Sequence, residues 1–463
     1  MRTRILALIA LVLTGLIVIP ARAAEPTELD SYLAQQVQRN NIRGMAAVIV
    51  EGDAIVLAEG YGTLTADTPF YIGSVSKSFT ALGVLQLVDA GLVDLDAPVV
   101  EYVPDFTVGG DTADAITVRH LLTHQSGLAD RGYQPTGLPP DAAIAERVAD
   151  LESATPVAEP GAEYHYFNAN YTTLGRLIEV VSGESYTTYM QTNIFDPLAM
   201  TNTTTDPSGL AIPTGTADLF GIAFPVEAEF SRPDLPNGYI ISTAADLGNY
   251  LIMQQNGGAF EGEQILSPEL VELMHTAPEN FPYAMGWFDQ EVAGMPALTH
   301  GGSLPGYHAD ATLLQTDDVA FALLYTNNDL PFYFSVYPGI QMGIVELMTD
   351  GDPAPARRIG TDLIILAIGA LLVGLSVRRL LTVDRWTERN ADKPRPRVLA
   401  SVVIGVLVPI LLIIFLPALG ELVSQRDVTW AILGSLLPEV FLVLALGLIV
   451  DAATAVARVR ALA

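Results

Sequence analysis

The pattern of apolar and polar positions divides the chain into two parts of different character. Up to about residue 350, short apolar stretches alternate with polar residues, glycine and proline, as in a water-soluble domain. Three long apolar runs follow: Ile359–Val377, Val398–Leu419 and Val428–Val450. Each is long enough to cross a bilayer as a helix. The pattern therefore predicts one folded domain, residues 24–350, followed by three membrane helices.

Within the first part, the periodicity changes from helical to strand-like and back. Residues 26–41 predict an amphipathic helix, and residues 45–50 and 54–59 predict a hairpin around the turn Gly52-Asp53. Further on, the pattern predicts strands at 283–288, 297–300, 308–315 and 319–326, and a helix at 339–348.

A helical, loop-rich region from about residue 93 to residue 236 separates the hairpin from the later strands. Helices are predicted at 117–125, 141–151 and 171–181, and a further helix, 243–255, follows the region. This order indicates an α+β fold: an antiparallel sheet flanked by N- and C-terminal helices, with an inserted all-helical subdomain. We expect a site at the seam of the two parts.

The N-terminus has the features of a secretory signal. Arg2 and Arg4 precede an apolar run, and Ala21-Arg22-Ala23 is a small-residue cleavage site. Residues 1–23 are therefore predicted to be a signal peptide. An uncleaved membrane anchor is the alternative, but the apolar run is short for a membrane span.

The connector between the first two apolar runs sets the predicted topology. Residues 378–397 carry seven basic and three acidic residues, and positively charged loops stay in the cytoplasm. The C-terminus then also lies in the cytoplasm, and residues 351–358 form a linker on the outer side. We expect a multi-pass protein of the cell membrane with an extracytoplasmic domain.

Charge excludes one class of partner. The chain has a formal net charge of −29, and residues 25–350 hold 43 acidic and 8 basic residues. A domain this acidic does not bind nucleic acid through phosphate contacts. The acidity indicates solubility or adaptation to high salt.

The chain has no cysteine, so disulfides and thiolate chemistry are excluded.

The strongest candidate chemistry is a Ser-x-x-Lys pair, Ser74 and Lys77, at the start of a predicted helix. Residues three apart lie on one helix face, so the hydroxyl and the amine can meet. A serine hydroxyl is a weak nucleophile until a base takes its proton. The chain has only two lysines, and Lys77 is the only one before Lys393.

Two more polar clusters, together with the Ser74–Lys77 pair, resemble the motifs of a known family. The chain contains Tyr166-Phe167-Asn168 and His300-Gly301-Gly302, in that order after Ser74-Val75-Ser76-Lys77. These three elements resemble the Ser-x-x-Lys, Tyr-x-Asn and Lys/His-x-Gly motifs of the serine β-lactamase and penicillin-binding-protein superfamily, in particular class C β-lactamases, D-alanyl-D-alanine carboxypeptidases and related esterases. Secondary stretches also match, at 120–128, 242–247, 286–287 and 302–307.

The resemblance implies roles for these residues. Ser74 would attack an acyl carbonyl, Lys77 would take its proton, and Tyr166 would pass the proton to the leaving group and help activate the deacylating water. Asn168 would hydrogen-bond Lys77 and the substrate amide. The N–H groups of Ser74 and Ser303 would form the oxyanion hole, with Gly301 and Gly302 admitting substrate to the strand edge. No cofactor is implied.

The chain departs from class C β-lactamases at His300, where those enzymes carry lysine. A fixed charge for a substrate carboxylate is therefore missing unless His300 is protonated. The possible substrates are therefore a D-amino-acid peptide, a β-lactam or an ester. The partner is expected to be a small molecule or a peptide. The alternative is a slow penicillin-binding or sensor-like protein that signals through its membrane helices.

Two further polar features are weaker candidates for function. His120 and His124 have no third ligand, so no metal site is predicted. Glu439, midway along the third run, is a functional candidate within the membrane.

Overall fold

The computed structural model of the chain describes residues 27–110, 112–349, 351–357, 359–424 and 430–462. The predicted signal peptide lies outside the described residues. The described strands are β1 (Met45–Glu51), β2 (Ala54–Tyr61), β3 (Phe70–Tyr71), β4 (Thr216–Leu219), β5 (Ile222–Pro225), β6 (Ile241–Ser242), β7 (Ala259–Phe260), β8 (Glu263–Gln264), β9 (Phe288–Val292), β10 (Met295–Leu304), β11 (Tyr307–Leu314) and β12 (Val319–Tyr325).

The predicted helices of the first part are present and begin close to the predicted positions. The helices of this part are α1 (Glu28–Asn40), α2 (Ser76–Asp89), α3 (Val118–Leu122), α4 (Ile144–Asp150), α5 (Asn168–Ser182), α6 (Tyr186–Met190), α7 (Leu235–Gly238), α8 (Ala244–Gln255), α9 (Pro268–His275) and α10 (Tyr337–Met348). Of these, α6, α7 and α9 are additional to the predicted helices. Thr117 and Thr243 cap α3 and α8 by accepting from the N–H groups of His120 and Asp246.

A six-stranded antiparallel sheet carries the domain, in the order β2-β1-β12-β11-β10-β9. The apolar strands β1 and β12 lie in the middle and are buried on both faces, because helices cover both sides. One core joins the sheet to α2 and the inserted region, and a second joins it to α1 and α10. The predicted α+β architecture with an antiparallel sheet and flanking helices is confirmed.

Two details of the predicted architecture are wrong. The inserted region is not all-helical, because β4 and β5 form a hairpin within it. Residues 283–288 are not a strand: Tyr283 bridges Phe288 across a turn, and β9 starts only at Phe288. Gly286 adopts a φ of +86° at this turn, and a Cβ there would stand 2.6 Å from the Cα of Ser78, so the chain bends where helix α2 passes close by.

The C-terminal part consists of α11 (Ile359–Leu381), α12 (Val383–Asn390), α13 (Arg395–Ile414), α14 (Leu416–Ser424), α15 (Trp430–Leu436) and α16 (Pro438–Leu462). Two described helical segments, Leu363–Leu381 and Pro438–Leu462, are long and apolar enough to cross a membrane. The second predicted run is interrupted at Phe415, and the third is divided before Pro438, which has no N–H to continue the helix ladder.

The division at Pro438 changes the position of Glu439. Its carboxylate lies in the first turn of α16 rather than midway along a membrane helix, and its Oε1 accepts a 3.3 Å hydrogen bond from the N–H of Phe220 in the β4–β5 turn. Glu439 therefore contacts the first domain.

Candidate active site

Ser74 and Lys77 meet as their spacing predicts. Ser74 lies in a short 3₁₀ turn, Gly73–Val75, that runs directly into α2, so Lys77 stands one turn further along the same face. Ser74 Oγ and Lys77 Nζ are 3.0 Å apart. This distance is short enough for proton transfer between the hydroxyl and a neutral amine.

The Lys77 side chain is fully buried between the sheet domain and the inserted region. Its Nζ donates a 2.6 Å hydrogen bond to the main-chain oxygen of Asn237 in α7. The Asn237 side chain is itself held, because its Nδ2 donates to Thr172 Oγ1 at 3.0 Å and Asp234 Oδ1 at 3.3 Å. The position of the amine is thus fixed from two sides, by the hydroxyl and by this carbonyl.

Tyr166 lies beside the same amine, with its ring centroid 5.0 Å from Lys77 Nζ. The tyrosine ring packs on His124 with centroids 4.3 Å apart. His124 also holds the chain on either side of Tyr166: its Nδ1 accepts from the N–H of Phe167 at 3.2 Å, and its main-chain oxygen accepts from the N–H of His165 at 2.9 Å. His124 therefore positions Tyr166 next to Lys77.

Asn168 does not make the hydrogen bond to Lys77 that the resemblance implies. It begins α5 and lines the cleft near Ser74, but its Oδ1 is buried and has no hydrogen-bond partner within the described part of the chain. The Asn237 carbonyl accepts from Lys77 instead. Asn168 therefore lies at the cavity that contains Ser74 without contacting Lys77 through this oxygen.

Strand β10 passes very close to the Ser74 turn. A Cβ on Gly302 would stand 2.0 Å from the oxygen of Ile72 and 3.0 Å from the nitrogen of Ser74, so only glycine fits there. Strand β9 pairs with β10 only as far as Thr299, which leaves the β10 edge beyond it, including Ser303, open to the cleft. This geometry places the Ser303 main chain beside Ser74, as an oxyanion hole made from their N–H groups requires.

His300 points into the buried side of β10. Its Nδ1 donates to the oxygen of Gly301 at 2.9 Å, and its Nε2 lies 3.0 Å from the hydroxyl of Tyr283. Burial raises the pKa of Tyr283 well above its ordinary value, so this phenol stays protonated. Both ring nitrogens of His300 therefore contact groups of the protein itself.

Two cavities meet at the nucleophile, and Ser74 and Ser303 line both of them. One, of about 630 Å³, extends along β10 past Tyr166 and His300. The other, of about 280 Å³, extends toward Asn168 and the inserted region. A substrate lying across Ser74 can therefore place one part in each cavity, at the seam where the order of elements predicts a site.

The sequence does not reveal three residues of this site. Asn237 acts through its main-chain oxygen, Tyr283 lies in the misassigned segment, and His124 belongs to a stretch that matches the family without an assigned role.

His120 and His124 have different structural roles. His120 Nδ1 accepts a hydrogen bond from the N–H of Thr117 at the start of α3, whereas His124 packs beside Tyr166. Among the described residues, no group of three or more His, Asp or Glu side chains is arranged to hold a metal ion.

Comparisons with known proteins identify the family of this chain. The family model for beta-lactamase matches residues 29–367. Penicillin-binding protein 4 of Amycolatopsis lactamdurans is 30% identical over 314 residues, which cover 62% of this chain and 82% of that protein. Protein flp of Staphylococcus aureus strain MW2 is 27% identical over 304 residues, which cover 60% of this chain and 59% of that protein.

A solved structure, the octameric penicillin-binding protein homologue from Pyrococcus abyssi, matches with a TM-score of 0.60 and 27% identity, covering 70% of this chain and 78% of that chain. Residues 29–367, which the family model matches, include the sheet, the inserted region and the Ser74 helix. The chain therefore belongs to the serine beta-lactamase and penicillin-binding protein superfamily.

Proposed function

We propose that the protein is a serine hydrolase that forms an acyl-enzyme on Ser74. The observation that supports this most directly is the 3.0 Å distance between Ser74 Oγ and Lys77 Nζ at the junction of two cavities. A buried amine next to a partly exposed hydroxyl is suited to remove its proton, because burial disfavours the charged ammonium.

In the acylation step, Lys77 accepts the Ser74 proton as Oγ attacks the scissile carbonyl. The N–H groups of Ser74 and Ser303 stabilise the negative charge that develops on the carbonyl oxygen. Asn237 holds the amine in place through its main-chain oxygen, and Asn168, which lines the smaller cavity, is assigned to the substrate amide.

Proton transfer must then reach the leaving group and the deacylating water. We assign this role to Tyr166, whose ring lies against Lys77 and lines the cavity that contains Ser74. Lys77 gives up the proton that it has taken from Ser74, and the phenol of Tyr166 passes this proton from the amine to the cleft. The same pair activates water in the second half-reaction, which frees Ser74.

The substrate is a D-amino-acid peptide or amide, an ester or a β-lactam. Two of the similar proteins bear names that refer to penicillin binding. In this chain His300 stands where the resemblance to class C β-lactamases expects lysine, and both of its ring nitrogens contact protein groups, so a substrate carboxylate has no lysine-like partner there. We therefore favour amide or ester hydrolysis over efficient turnover of penicillins.

We further propose that the C-terminal helices anchor this hydrolase in the cell membrane, with the catalytic domain outside. The two apolar segments in α11 and α16 support anchoring. The third span, through α13 and α14, and the cytoplasmic location of residues 378–397 follow from the sequence pattern. A reporter fused after Asp392 should be active only in the cytoplasm, and an extracytoplasmic signal there would refute this topology.

A second candidate function is a slow, sensor-like penicillin-binding protein, and the Glu439 contact favours it. Glu439 at the start of α16 accepts from Phe220 in the β4–β5 turn. At the base of that hairpin, the N–H of Gly215 donates to the hydroxyl of Tyr307 at 3.1 Å, close to Ser303 on the adjoining strand. These contacts connect a membrane helix to the catalytic cleft.

Hydrolysis by the full-length protein in detergent tests the proposal. We expect turnover of at least one of three substrates: a D-Ala-D-Ala peptide, a p-nitrophenyl ester or nitrocefin. Ser74→Ala should lower kcat/KM by about 10³-fold or more, as expected for a covalent nucleophile. The matched variant Ser208→Ala, an exposed serine, should not. Stable labelling of Ser74 without turnover would favour the sensor, and wild-type rates in Ser74→Ala would refute both.

A further inference from the structure

A second hydrogen-bonded group lies on the far side of β10 from Lys77. Ser303 Oγ is 3.1 Å from His308 Nδ1, and His308 Nε2 is 3.1 Å from Asp310 Oδ2. The strand register pairs Ser303 with His308 and Gly301 with Asp310, so these positions share one face of the sheet. The His308 ring stacks on Tyr337 with centroids 4.2 Å apart, which fixes the group against the C-terminal helix of the domain.

This group is open to the catalytic cleft. His308 and Asp310 line the same cavity of about 630 Å³ that contains Ser74. The absence of a side chain at Gly301 provides the passage, because a Cβ there would stand 3.5 Å from Asp310 Oδ1. A substrate bound at Ser74 can therefore extend across Gly301 and reach the carboxylate.

This end of the cavity offers a carboxylate and no basic counterpart. Among the described residues that line the cavity, Asp310 is the one acidic residue, and none is an arginine or lysine. A neutral His308 that accepts from Ser303 at Nδ1 donates to Asp310 through Nε2, and the pair then carries one net negative charge. The strongly acidic domain adds a field of the same sign.

We propose that Gly301, His308 and Asp310 form a subsite for a primary ammonium group of the substrate. This inference rests on the proposed function and narrows it to amides, peptides or esters that carry an unblocked amine. An ammonium in the passage donates a charge-assisted hydrogen bond to Asp310 Oδ1, whereas a substrate carboxylate is repelled. The subsite thus selects the opposite charge from a carboxylate-binding site.

Three forms of one substrate test the subsite: alanine p-nitroanilide, in either enantiomer, with a free amine, an N-acetyl group or an N-succinyl group. We expect kcat/KM to be highest for the free amine and lowest for the succinyl form. Asp310→Asn should lower the ratio of free-amine to acetyl kcat/KM about tenfold, the effect of losing one charge-assisted contact. The control Asp289→Asn removes an exposed charge from β9, outside the cavity lining, and should leave the ratio unchanged.

A second variant tests the passage itself. Gly301→Ala adds a methyl group at ordinary contact distance from Asp310, so the fold tolerates it while the approach to the carboxylate narrows. The ratio of kcat/KM for the free-amine substrate to kcat/KM for the acetyl substrate should fall, while the melting temperature stays unchanged. Equal losses for the free-amine and acetyl substrates in Asp310→Asn, or a wild-type preference for the acetyl or succinyl form, would refute the subsite.

Labelling with a fluorophosphonate separates the two proposals. If Ser74 is labelled and the ratio does not respond to Asp310→Asn, only the ammonium subsite is wrong. If Ser74 is not labelled in the wild-type protein, the hydrolase proposal itself fails.

Discussion

Lys77 Nζ lies 2.6 Å from the main-chain oxygen of Asn237, a residue 160 positions later in the chain. This contact brings α2 and α7 together at the point where Lys77 also reaches Ser74. Because a carbonyl oxygen accepts a hydrogen bond but carries no full charge, it orients the amine without the strong stabilisation of the ammonium that a carboxylate would give. The amine is held in position in a way that is compatible with the proposed base role.

Lys77→Arg tests the base directly. Arginine keeps the positive charge but stays protonated at any accessible pH, so it cannot accept the Ser74 proton. We expect the rate of Ser74 phosphonylation by a fluorophosphonate, in which Oγ displaces fluoride from phosphorus, to fall by about 10²–10⁴-fold, the usual contribution of a positioned base. Stopped-flow or gel-based labelling measures the rate, and a fall of less than about threefold would contradict the role.

Asn237→Ala tests how far the position of the amine matters. The variant removes the hydrogen bonds to Thr172 and Asp234 that hold α7, so the carbonyl that orients Lys77 shifts. We expect kcat to fall by about 10- to 100-fold with little change in KM, since a small misplacement of a catalytic group is costly. The control Asn202→Ala removes an exposed side chain and should retain activity. Wild-type kcat in Asn237→Ala would show that the contact is dispensable.

Gly302→Ala tests the close approach of β10 to the Ser74 turn. Its Cβ would overlap the oxygen of Ile72 at 2.0 Å, and backbone on both sides must move apart. We expect the free energy of unfolding to fall by about 1–3 kcal/mol, the usual cost of overpacking. Urea unfolding measures it. Gly301→Ala, which meets its neighbours at ordinary distances, is the matched control, and equal stability of the two variants would contradict the packing.

His275 gives the domain a defined pH dependence. Burial lowers the pKa of His275 from 6.5 to about 4 in the folded protein, and its Nε2 donates to Gln254 Oε1 at 2.7 Å. Because the unfolded chain binds the proton more readily, this stability is present above pH 6.5 and is lost as the pH falls from 6.5 to 4. The loss amounts to about 2–3 kcal/mol.

The matched variant for this prediction is His275→Gln. Comparison of urea unfolding at pH 7 and pH 4.5 isolates the histidine, since all other titrating groups are common to both proteins. The wild-type protein should lose more free energy of unfolding between these values than the variant. An equal loss in both would show that His275 does not titrate as described.

The elements of the fold were predictable where local pattern and burial agree. The apolar run that begins at Met45 became a central strand, and the threonine caps at Thr117 and Thr243 began helices as expected. The pattern failed where a distant element decides the local conformation. Helix α2 forces the bend at Gly286, and the inserted region pairs β4 with β5 although neither has a strong strand pattern.

The site divides in the same way. Ser74 and Lys77 were predictable because their spacing alone places them on one helix face. Side-chain type gives no indication of Asn237, which contributes its backbone, and the implied Asn168–Lys77 hydrogen bond is replaced by this carbonyl. His308 is recognisable only from the strand register, which places it opposite Ser303.

The proposed function requires that the Ser74 hydroxyl becomes covalently acylated. The most direct measurement is peptide mapping by mass spectrometry of the full-length protein after brief reaction with a fluorophosphonate and, separately, a fluorescent penicillin. We predict that the fluorophosphonate adduct lies on the peptide that contains Ser74 and is absent from Ser74→Ala. A fluorophosphonate adduct on another residue such as Ser303, or equal labelling of the Ser74→Ala variant, would show that Ser74 is not the nucleophile.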